Sequence, residues 1–350
     1  MSQKSNQQPT ESKKMKTNYL GLQKVAPALT LFVLSAIIVE LLFGTTHLTI
    51  ITALIPEIGF YGGAALVIRY AVRRLHRSWF SILLLGVAFA VFEEFLIVQT
   101  SVSPTLFVGM PEIYSRIFGV NWIYFLWAAG YEGVWGIVLP IYLTEIIFST
   151  RREDPWLSKR GLVATVVVFA LASLVSWGIW TQEVAPQALG YIYSPPLSLI
   201  IFALIVITGL IIVALVPRPP LHLAYRATRM RLKPWSLGAL VFVLSLLWFV
   251  LVAFAFNTFP TIPVAIAIVP GLILAGAVLF LVLTQSKSSG WDDEKRLAII
   301  IGGLFASMIA GFWASGIVLA IDFVGKIIFN IITVALLVYL AWSLHKHSQE

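Results

Sequence analysis

Ten apolar runs, each close to the length of a membrane-spanning helix, recur along the 350-residue chain. A helix needs about 20 mostly apolar residues to cross the hydrocarbon core of a bilayer. The runs lie at residues 25–43, 51–70, 79–99, 121–148, 161–181, 196–216, 235–256, 263–284, 297–319 and 325–343. The sequence therefore predicts an all-α, polytopic integral membrane protein with about ten transmembrane helices.

Composition supports this class and excludes several others. Hydrophobic residues make up 59% of the chain and charged residues only 11%, whereas soluble domains carry about a quarter charged residues. The absence of cysteine excludes disulfides, thiolate catalysis and cysteine-ligated metals. The net charge of +8 comes from short segments between apolar runs, which predicts no nucleic-acid partner. The predicted partners are the lipid bilayer and, at cytoplasmic basic segments such as 217–234, anionic lipid headgroups.

The distribution of basic residues predicts the orientation. With ten spans, 22 of the 24 lysines and arginines fall on the side of both termini, and only Arg116 and Lys326 fall on the other. The positive-inside rule then predicts that both termini are cytoplasmic and that the protein is a multi-pass protein of the plasma or inner membrane. The polar, Lys-rich residues 1–20 are expected to be a disordered cytoplasmic tail.

The fourth run and the segment before it are both unusually long. The 28 residues of the fourth run would reach about 42 Å, against a hydrocarbon core of about 30 Å. Small residues and a proline between Gly130 and Pro140 offer places for it to kink. The segment 100–120 is predicted to cover the outer end of helices 3 and 4. Within it, a short helix is expected from Pro111, with Ile117 and Phe118 at the membrane surface.

Carboxylates at membrane depth are the most informative residues. The predicted topology puts five glutamates from four helices in the outer half of the membrane, namely Glu40, Glu57, Glu93, Glu94 and Glu132. Helices 5 to 10, with the bounds above, have none. A charge at that depth costs a few kcal/mol, so intramembrane acids indicate function by default.

Helical spacing predicts that the acids of helices 3 and 4 face other helices. Two faces combine acids with small residues or proline, namely Gly86, Ala90, Glu93 and Glu94, and Ala128, Glu132, Gly136 and Pro140. Small residues beside an acid let another helix approach closely, or leave room for water or substrate. We therefore select Glu93, Glu94, Glu132 and Glu57 as the candidate site, with Glu94 and Glu132 at its centre.

Four interpretations of this site fit the sequence. The acids are suited to general acid–base catalysis, directly or through a metal. They are equally suited to binding a cation or proton in a transporter, or to holding a cationic group of a substrate. A purely structural set of protonated, hydrogen-bonded glutamates is the fourth interpretation. In each case several carboxyls in a low-dielectric region cannot all ionise, so at least one should retain a proton near pH 7.

Other polar residues are weaker candidates. His47 in the first outer loop is a candidate ligand or proton carrier above the acids, and an ordinary solvated loop histidine is the alternative interpretation. Glu145 at the inner end of helix 4 is expected to pair with Arg69, Arg73 or the arginines at 151–152. Asp322 and Lys326 have the i,i+4 spacing of a weak helical ion pair. No cofactor or metal is identified from the sequence.

The Glu93-Glu94 pair resembles the first motif, E-E-x-x-x-R, of the CAAX-prenyl-protease and bacteriocin-processing family of intramembrane peptidases. In that family F-x-x-x-H and H-x-x-x-N or D follow on later helices. Here Val98 occupies the arginine position and the predicted later spans carry no histidine, so the resemblance covers two residues. It implies that Glu93 and Glu94 act in hydrolysis.

More of the chain resembles an uncharacterised group of bacterial multi-pass membrane proteins. The similarity lies in an E-L-L-x-G-x-T-like segment at 40–46, in residues 61–69, in the Glu93-Glu94 pair, and in residues 119–122. It spans about the first 160 residues and implies no particular activity.

The sequence thus predicts three regions: a tail at 1–20, an acid-bearing functional module at 21–160, and scaffold helices at 161–350. The favoured function is a proton- or cation-dependent transporter that uses the intramembrane glutamates. An intramembrane hydrolase that uses Glu93 and Glu94 and a non-catalytic partner subunit are the alternatives, so whether the protein is an enzyme stays open.

Overall fold

A computed structural model describes residues 11–104, 115–217, 232–257, 262–288 and 290–349. In these ranges the chain is nearly all helical, and ten helices are long and apolar enough to cross a membrane. They are α1 (Lys24–Leu42), α2 (Leu48–Arg74), α3 (Trp79–Ile97), α4 (Trp122–Ile147), α5 (Lys159–Leu189), α6 (Leu197–Leu215), α7 (Pro234–Ala253), α8 (Val264–Ser286), α9 (Asp293–Ala314) and α10 (Ala320–Lys346). The all-α class and the ten helices are therefore confirmed.

Some helices extend beyond the bounds predicted from hydropathy. The helix of α1 already begins at Glu11, inside the tail expected to be disordered, because residues with good helix propensity prolong a helix that the apolar run has formed. Residues 1–10 lie outside the described ranges. The helix of α5 runs eight residues past its predicted end and takes in Glu183. Helix α9 likewise contains Glu294, so two helices after α4 contain a glutamate just outside their predicted bounds.

The segment between α3 and α4 ends in a small β-hairpin. Strands β1 (Arg116–Ile117) and β2 (Val120–Asn121) pair antiparallel. Positive φ angles at Phe118 and Gly119 fit the tight turn that joins two such strands. Ile117 and Phe118 are exposed, and their predicted contact with the membrane surface stays a prediction. The short helix expected from Pro111 falls in 105–114, outside the described residues.

Helices α3 and α4 form the centre of the bundle. In each of these two helices, 67% of the most apolar 18-residue stretch is buried inside the bundle, against 11% in α8 and α10. Helices α6 and α2 pack on α3, while α1, α7, α8 and α9 pack on α4. Helix α5 packs on α2, and α10 packs on α1 and α9. Helices α3 and α4, which carry Glu93, Glu94 and Glu132, are therefore the most buried of the ten helices.

The hydrophobic core is continuous across residue 160, where the sequence suggested a boundary between module and scaffold. One cluster of buried residues extends from Ala28 to Leu337. The indole nitrogen of Trp135 on α4 also donates a hydrogen bond to the carbonyl of Gly303 on α9, at 3.0 Å. Helix α9 thus holds α4 in place from the second half of the chain.

Helix irregularities are concentrated in the first half of the bundle. Each of α1 to α5 contains a π-helical segment, at Ile37–Leu42, Ile58–Gly62, Glu93–Ile97, Tyr131–Val138 and Trp180–Val184. Within the described parts of α6 to α10 there is none. The segment in α4 lies between Gly130 and Pro140, where the sequence predicted a kink. Such segments occur frequently at functional sites.

The bundle has two ends of opposite chemistry. At the end where α2 and α4 finish and α9 begins, Arg69, Arg73 and Arg152 form ion pairs; we call this the arginine end. At the end where α1 and α3 finish and α4 and α10 begin lie the glutamates of the predicted site; we call this the glutamate end.

Candidate functional site

Three of the predicted acids form a single contact group, which we call the carboxyl trio: Glu93 and Glu94 of α3 and Glu132 of α4. Glu132 lies within hydrogen-bonding reach of both Glu93 and Glu94. All three are buried, with no more than 5% of each residue exposed. A carboxylate only accepts hydrogen bonds, so two carboxyls can bond only when one of them carries a proton. Retention of at least one proton would let these carboxyls form a hydrogen bond instead of repelling one another.

The remaining partners of the trio are neutral. The Tyr61 hydroxyl donates to Glu93 Oε1 at 2.5 Å. The backbone N–H and the hydroxyl of Ser101 both donate to Glu94 Oε2, at 2.8 and 2.7 Å. One oxygen of Glu93 and one of Glu132 accept no hydrogen bond. No ion pair in the described ranges involves the trio, so its charge is not balanced by a cation.

Glycines position the trio by letting three helices meet closely. A Cβ atom on Gly86 would lie 2.6 Å from the carbonyl oxygen of Gly133, so α3 and α4 touch backbone to backbone. A Cβ atom on Gly136 would lie 3.2 Å from the Tyr61 ring. The ring of Tyr61 thus rests on the backbone of α4, with its hydroxyl directed to Glu93. These contacts agree with the small-residue faces predicted from the sequence.

Glu57 and Glu40 lie near the trio without joining it. Glu57 is half-buried and is close enough to Glu40 to interact with it electrostatically. Tyr61 is within electrostatic range of Glu40, Glu57, Glu93 and Glu132 and so occupies the centre of the group. The structure therefore gathers the four selected acids, but only three of them are in direct contact.

Glu40 has partners of its own in the loop that follows α1. Its Oε2 accepts hydrogen bonds from the hydroxyls of Thr45 and Thr46, at 2.7 and 2.8 Å. These contacts hold the chain where it turns from α1 towards α2. The geometry assigns Glu40 a local structural role.

Three neutral side chains of the site were not predicted from the sequence. Tyr61 follows Glu57 at the i,i+4 spacing of one helical face, a signal that would have found it. Tyr124, three residues into α4, is within electrostatic range of the whole trio. Ser101 bonds Glu94 because the chain turns back after α3, and no local pattern predicts that contact.

The turn that carries Ser101 is anchored by two side chains. Arg116 of the hairpin donates to the carbonyls of Val102, Ser103 and Pro104. The hydroxyl of Tyr193 also donates to the carbonyl of Val102, at 2.9 Å. Burial raises the pKa of Tyr193, which keeps this phenol protonated as a donor. The turn is thereby fixed over the buried end of α3.

His47 is paired with Asp322, and no ion pair among the described residues joins it to the selected acids. Its Nε2 is 3.6 Å from an oxygen of Asp322 on α10. Asp322 is buried and also accepts hydrogen bonds from the backbone N–H and the hydroxyl of Thr49, both at 2.9 Å. Asp322 therefore fixes the start of α2 to α10.

The predicted Asp322–Lys326 ion pair is wrong. The Lys326 ammonium donates to the carbonyls of Leu42 and Phe43, at 2.6 and 2.7 Å, and lies 4.7 Å from the centre of the Phe312 ring. A cation at the carboxyl end of a helix satisfies its last carbonyls and its dipole. Lys326 thus caps α1 instead of pairing with Asp322.

Glu145 pairs with two of the arginines that the sequence proposed. Its carboxylate accepts from Arg69 at 3.0 Å and from Arg73 at 2.9 and 2.5 Å. The Arg69 guanidinium also lies 3.2 Å above the Trp156 ring. Glu145 is therefore a structural residue that joins α2 to α4 at the arginine end.

The described residues contain no group of three or more His, Asp or Glu side chains arranged to hold a metal ion. Comparison with protein-family models, curated proteins and solved structures finds no match to this chain. A functional assignment therefore depends on the geometry of the trio and its surroundings.

Proposed function

We propose that the protein is a multi-pass membrane transporter that depends on protons or another cation, and that the carboxyl trio is its ion-binding site. The observation that supports this most is the contact of Glu132 with Glu93 and Glu94 without a cation among their described partners. By contrast, the other buried carboxyl of α4, Glu145, is balanced by two arginines, and an uncompensated buried charge is costly. An unbalanced group with unused acceptor oxygens suits reversible binding of a proton or a small cation.

The trio also links ion occupancy to helix position. When its protons leave, Glu132 meets two like charges in a low-dielectric region and repulsion favours separation. Helices α3 and α4 would then move apart unless a cation replaced the proton. The π-helical segments at Glu93–Ile97 and Tyr131–Val138 supply irregular turns at this point. Proton release and helix movement are therefore coupled in the proposed mechanism.

The proposed orientation places both termini in the cytoplasm of a cell with a plasma or inner membrane, and the glutamate end on the outer side. Because the chain has no cysteine, single cysteines report topology directly. Phe118→Cys, at an 89% exposed residue, should react with an impermeant thiol reagent added outside intact cells. Lys287→Cys, at an exposed residue of the opposite end, should react only after permeabilisation. The reverse pattern would place the trio on the cytoplasmic side.

The ion-binding role is tested by infrared difference spectroscopy of the purified protein between pH 5 and pH 9. Protonated carboxyls absorb apart from carboxylates, so proton loss from the trio should appear as loss of the carboxylic C=O band. Glu132→Gln should remove much of this signal and leave the protein folded. Glu183→Gln is the matched control, since Glu183 lies in a π-helical segment of α5 but is exposed.

Cation selectivity follows from the same measurement. Sodium, potassium or magnesium added at fixed pH should displace the protons if the trio binds that cation, and should leave the band unchanged if it binds protons alone. A wild-type spectrum whose pH response is the same as that of Glu132→Gln would contradict the proposal. It would favour the structural interpretation and a partner-subunit role.

A further inference from the structure

A groove of about 480 Å³ opens on the side of the bundle between α7, α9 and α10. Small residues line it, namely Gly238 and Ala239 on α7, Ala298 and Gly302 on α9, and Ala341 on α10. Its floor is the crossing of α7 and α9, where a Cβ atom on Gly302 would lie 2.3 Å from the Gly238 carbonyl oxygen. Its volume is in the range of about 300–1,000 Å³ found for small-molecule sites.

The length of the groove indicates what fits it. Along α9 its lining extends from Glu294 to Phe305, eleven helical steps or about 16 Å. The hydrocarbon core of a bilayer is about 30 Å thick, so the groove spans about one leaflet. A transmembrane helix of a partner would need the full thickness. An acyl chain of a lipid in that leaflet matches the observed length.

The end of the groove at the arginine end is lined or flanked by basic residues. Lys233 immediately precedes Pro234 of the lining, and Lys346 immediately follows His345 of the lining. Both lysines are exposed. The carboxylate in the lining, Glu294, contacts the His345 ring at 3.2 Å. Trp235, 73% exposed at the same end, suits the headgroup level of a membrane.

We infer that this groove is a binding site for an anionic phospholipid. One acyl chain lies along the small residues of α9, and the phosphate lies at the rim near Lys233 and Lys346. The inference needs the chain to be in a membrane, but it does not depend on transport or on the carboxyl trio.

Native mass spectrometry of the purified protein, titrated in detergent with phosphatidylglycerol or phosphatidylcholine, tests the site. Wild type should retain phosphatidylglycerol more tightly. Combined Lys233→Gln and Lys346→Gln should weaken phosphatidylglycerol binding by about thirtyfold and leave phosphatidylcholine binding unchanged, since each basic residue contributes about 1 kcal/mol and about 1.4 kcal/mol corresponds to a factor of ten. Combined Lys159→Gln and Arg160→Gln, at exposed residues of α5, is the matched charge control and should have no effect.

Filling the groove gives an independent test. Ala239→Trp should reduce binding of both lipids, whereas Ala164→Trp on an exposed face of α5 should not. Ala341→Trp fills the groove from its opposite wall and serves if Ala239→Trp does not fold. Equal binding of both lipids by wild type, or undiminished phosphatidylglycerol binding by a folded groove-filling variant, would overturn the inference.

Discussion

Helix α4 carries two buried glutamates, thirteen residues apart, that have opposite kinds of partner. Glu145 at the arginine end is bonded to Arg69 and Arg73. Glu132 at the glutamate end lies within hydrogen-bonding reach of two further carboxyls. Both are at most 5% exposed. Burial and helix position therefore do not separate a structural acid from a candidate ion site, whereas the partners do.

The two ends also differ in how their charges are organised. Beyond Glu145, the arginine end contains the chain Arg152–Asp293–Arg296, with contacts of 2.6 and 3.1 Å. These ion pairs connect the loop after α4 to the start of α9. A network of this kind stabilises one arrangement, because removal of any member leaves a partner uncompensated. The trio forms no ion pair within the described ranges, and in the proposed function it gains and loses protons.

The largest expected loss of stability comes from removing the Glu145 ion pairs at the arginine end. Glu145→Gln leaves Arg69 and Arg73 without their carboxylate, and loss of one partner of a buried ion pair costs about 3–5 kcal/mol. Glu132→Gln preserves shape and hydrogen bonding and should cost about 1 kcal/mol or less. Denaturant unfolding in detergent measures both. Glu153→Gln is the control, since Glu153 contacts Arg73 at 3.3 Å but is 75% exposed. Similar losses for Glu145→Gln and Glu132→Gln would remove the distinction between the two ends.

A smaller effect is expected from separating α3 and α4. Gly86→Ala places a Cβ atom 2.6 Å from the Gly133 carbonyl oxygen, and such overpacking costs about 1–3 kcal/mol. It should also shift the carboxylic infrared band, because the spacing of the trio depends on this crossing. Gly178→Ala on α5 meets nothing within 4 Å and should be neutral or slightly stabilising. A Gly86→Ala protein as stable as Gly178→Ala would show that the crossing is not tightly packed.

The same comparison shows what the sequence could predict. Hydropathy alone located all ten helices, since a bilayer imposes their length. The faces that join Gly86 to Glu94 and Ala128 to Glu132 predicted that these acids face other helices, but they did not predict that Glu57 lies outside the carboxyl trio. The partners of Lys326 were missed because they lie about 284 positions away at the end of α1, and only the tertiary fold brings them together. The π-helical segments have no local sequence signal and were not predicted.

Lys326 is a buried lysine at the glutamate end, in contrast to the paired arginines of the other end. Its ammonium contacts the carbonyls of Leu42 and Phe43, and it forms no ion pair with a carboxylate of the described residues. Lys326→Met should cost about 1–2 kcal/mol, as the last carbonyls of α1 lose their donor in an apolar setting. The pH response of the trio should stay unchanged. Lys159→Met, at an exposed residue, should stay within about 0.5 kcal/mol of wild type. Persistence of the carboxylic band to higher pH in Lys326→Met would show that this cation takes part in the ion site, because a nearby cation favours ionised carboxyls.

The smallest effects on stability are expected from two tyrosine variants, which test whether a hydrogen bond to the carboxyl trio matters more than one to the backbone. The Tyr61 hydroxyl donates to Glu93 and the Tyr131 hydroxyl donates to the backbone carbonyl of Val39, both at 2.5 Å. Tyr61→Phe and Tyr131→Phe therefore each remove one buried hydrogen bond, and each should cost about 1 kcal/mol.

Only Tyr61→Phe deprives a carboxyl of its donor, so only this variant should alter the pH at which the carboxylic band disappears. Without that donor the ionised form of Glu93 is less favoured, and the band should persist to higher pH. An unchanged band in Tyr61→Phe would show that Glu93 holds its proton independently of the tyrosine, and would restrict the ion site to Glu94 and Glu132.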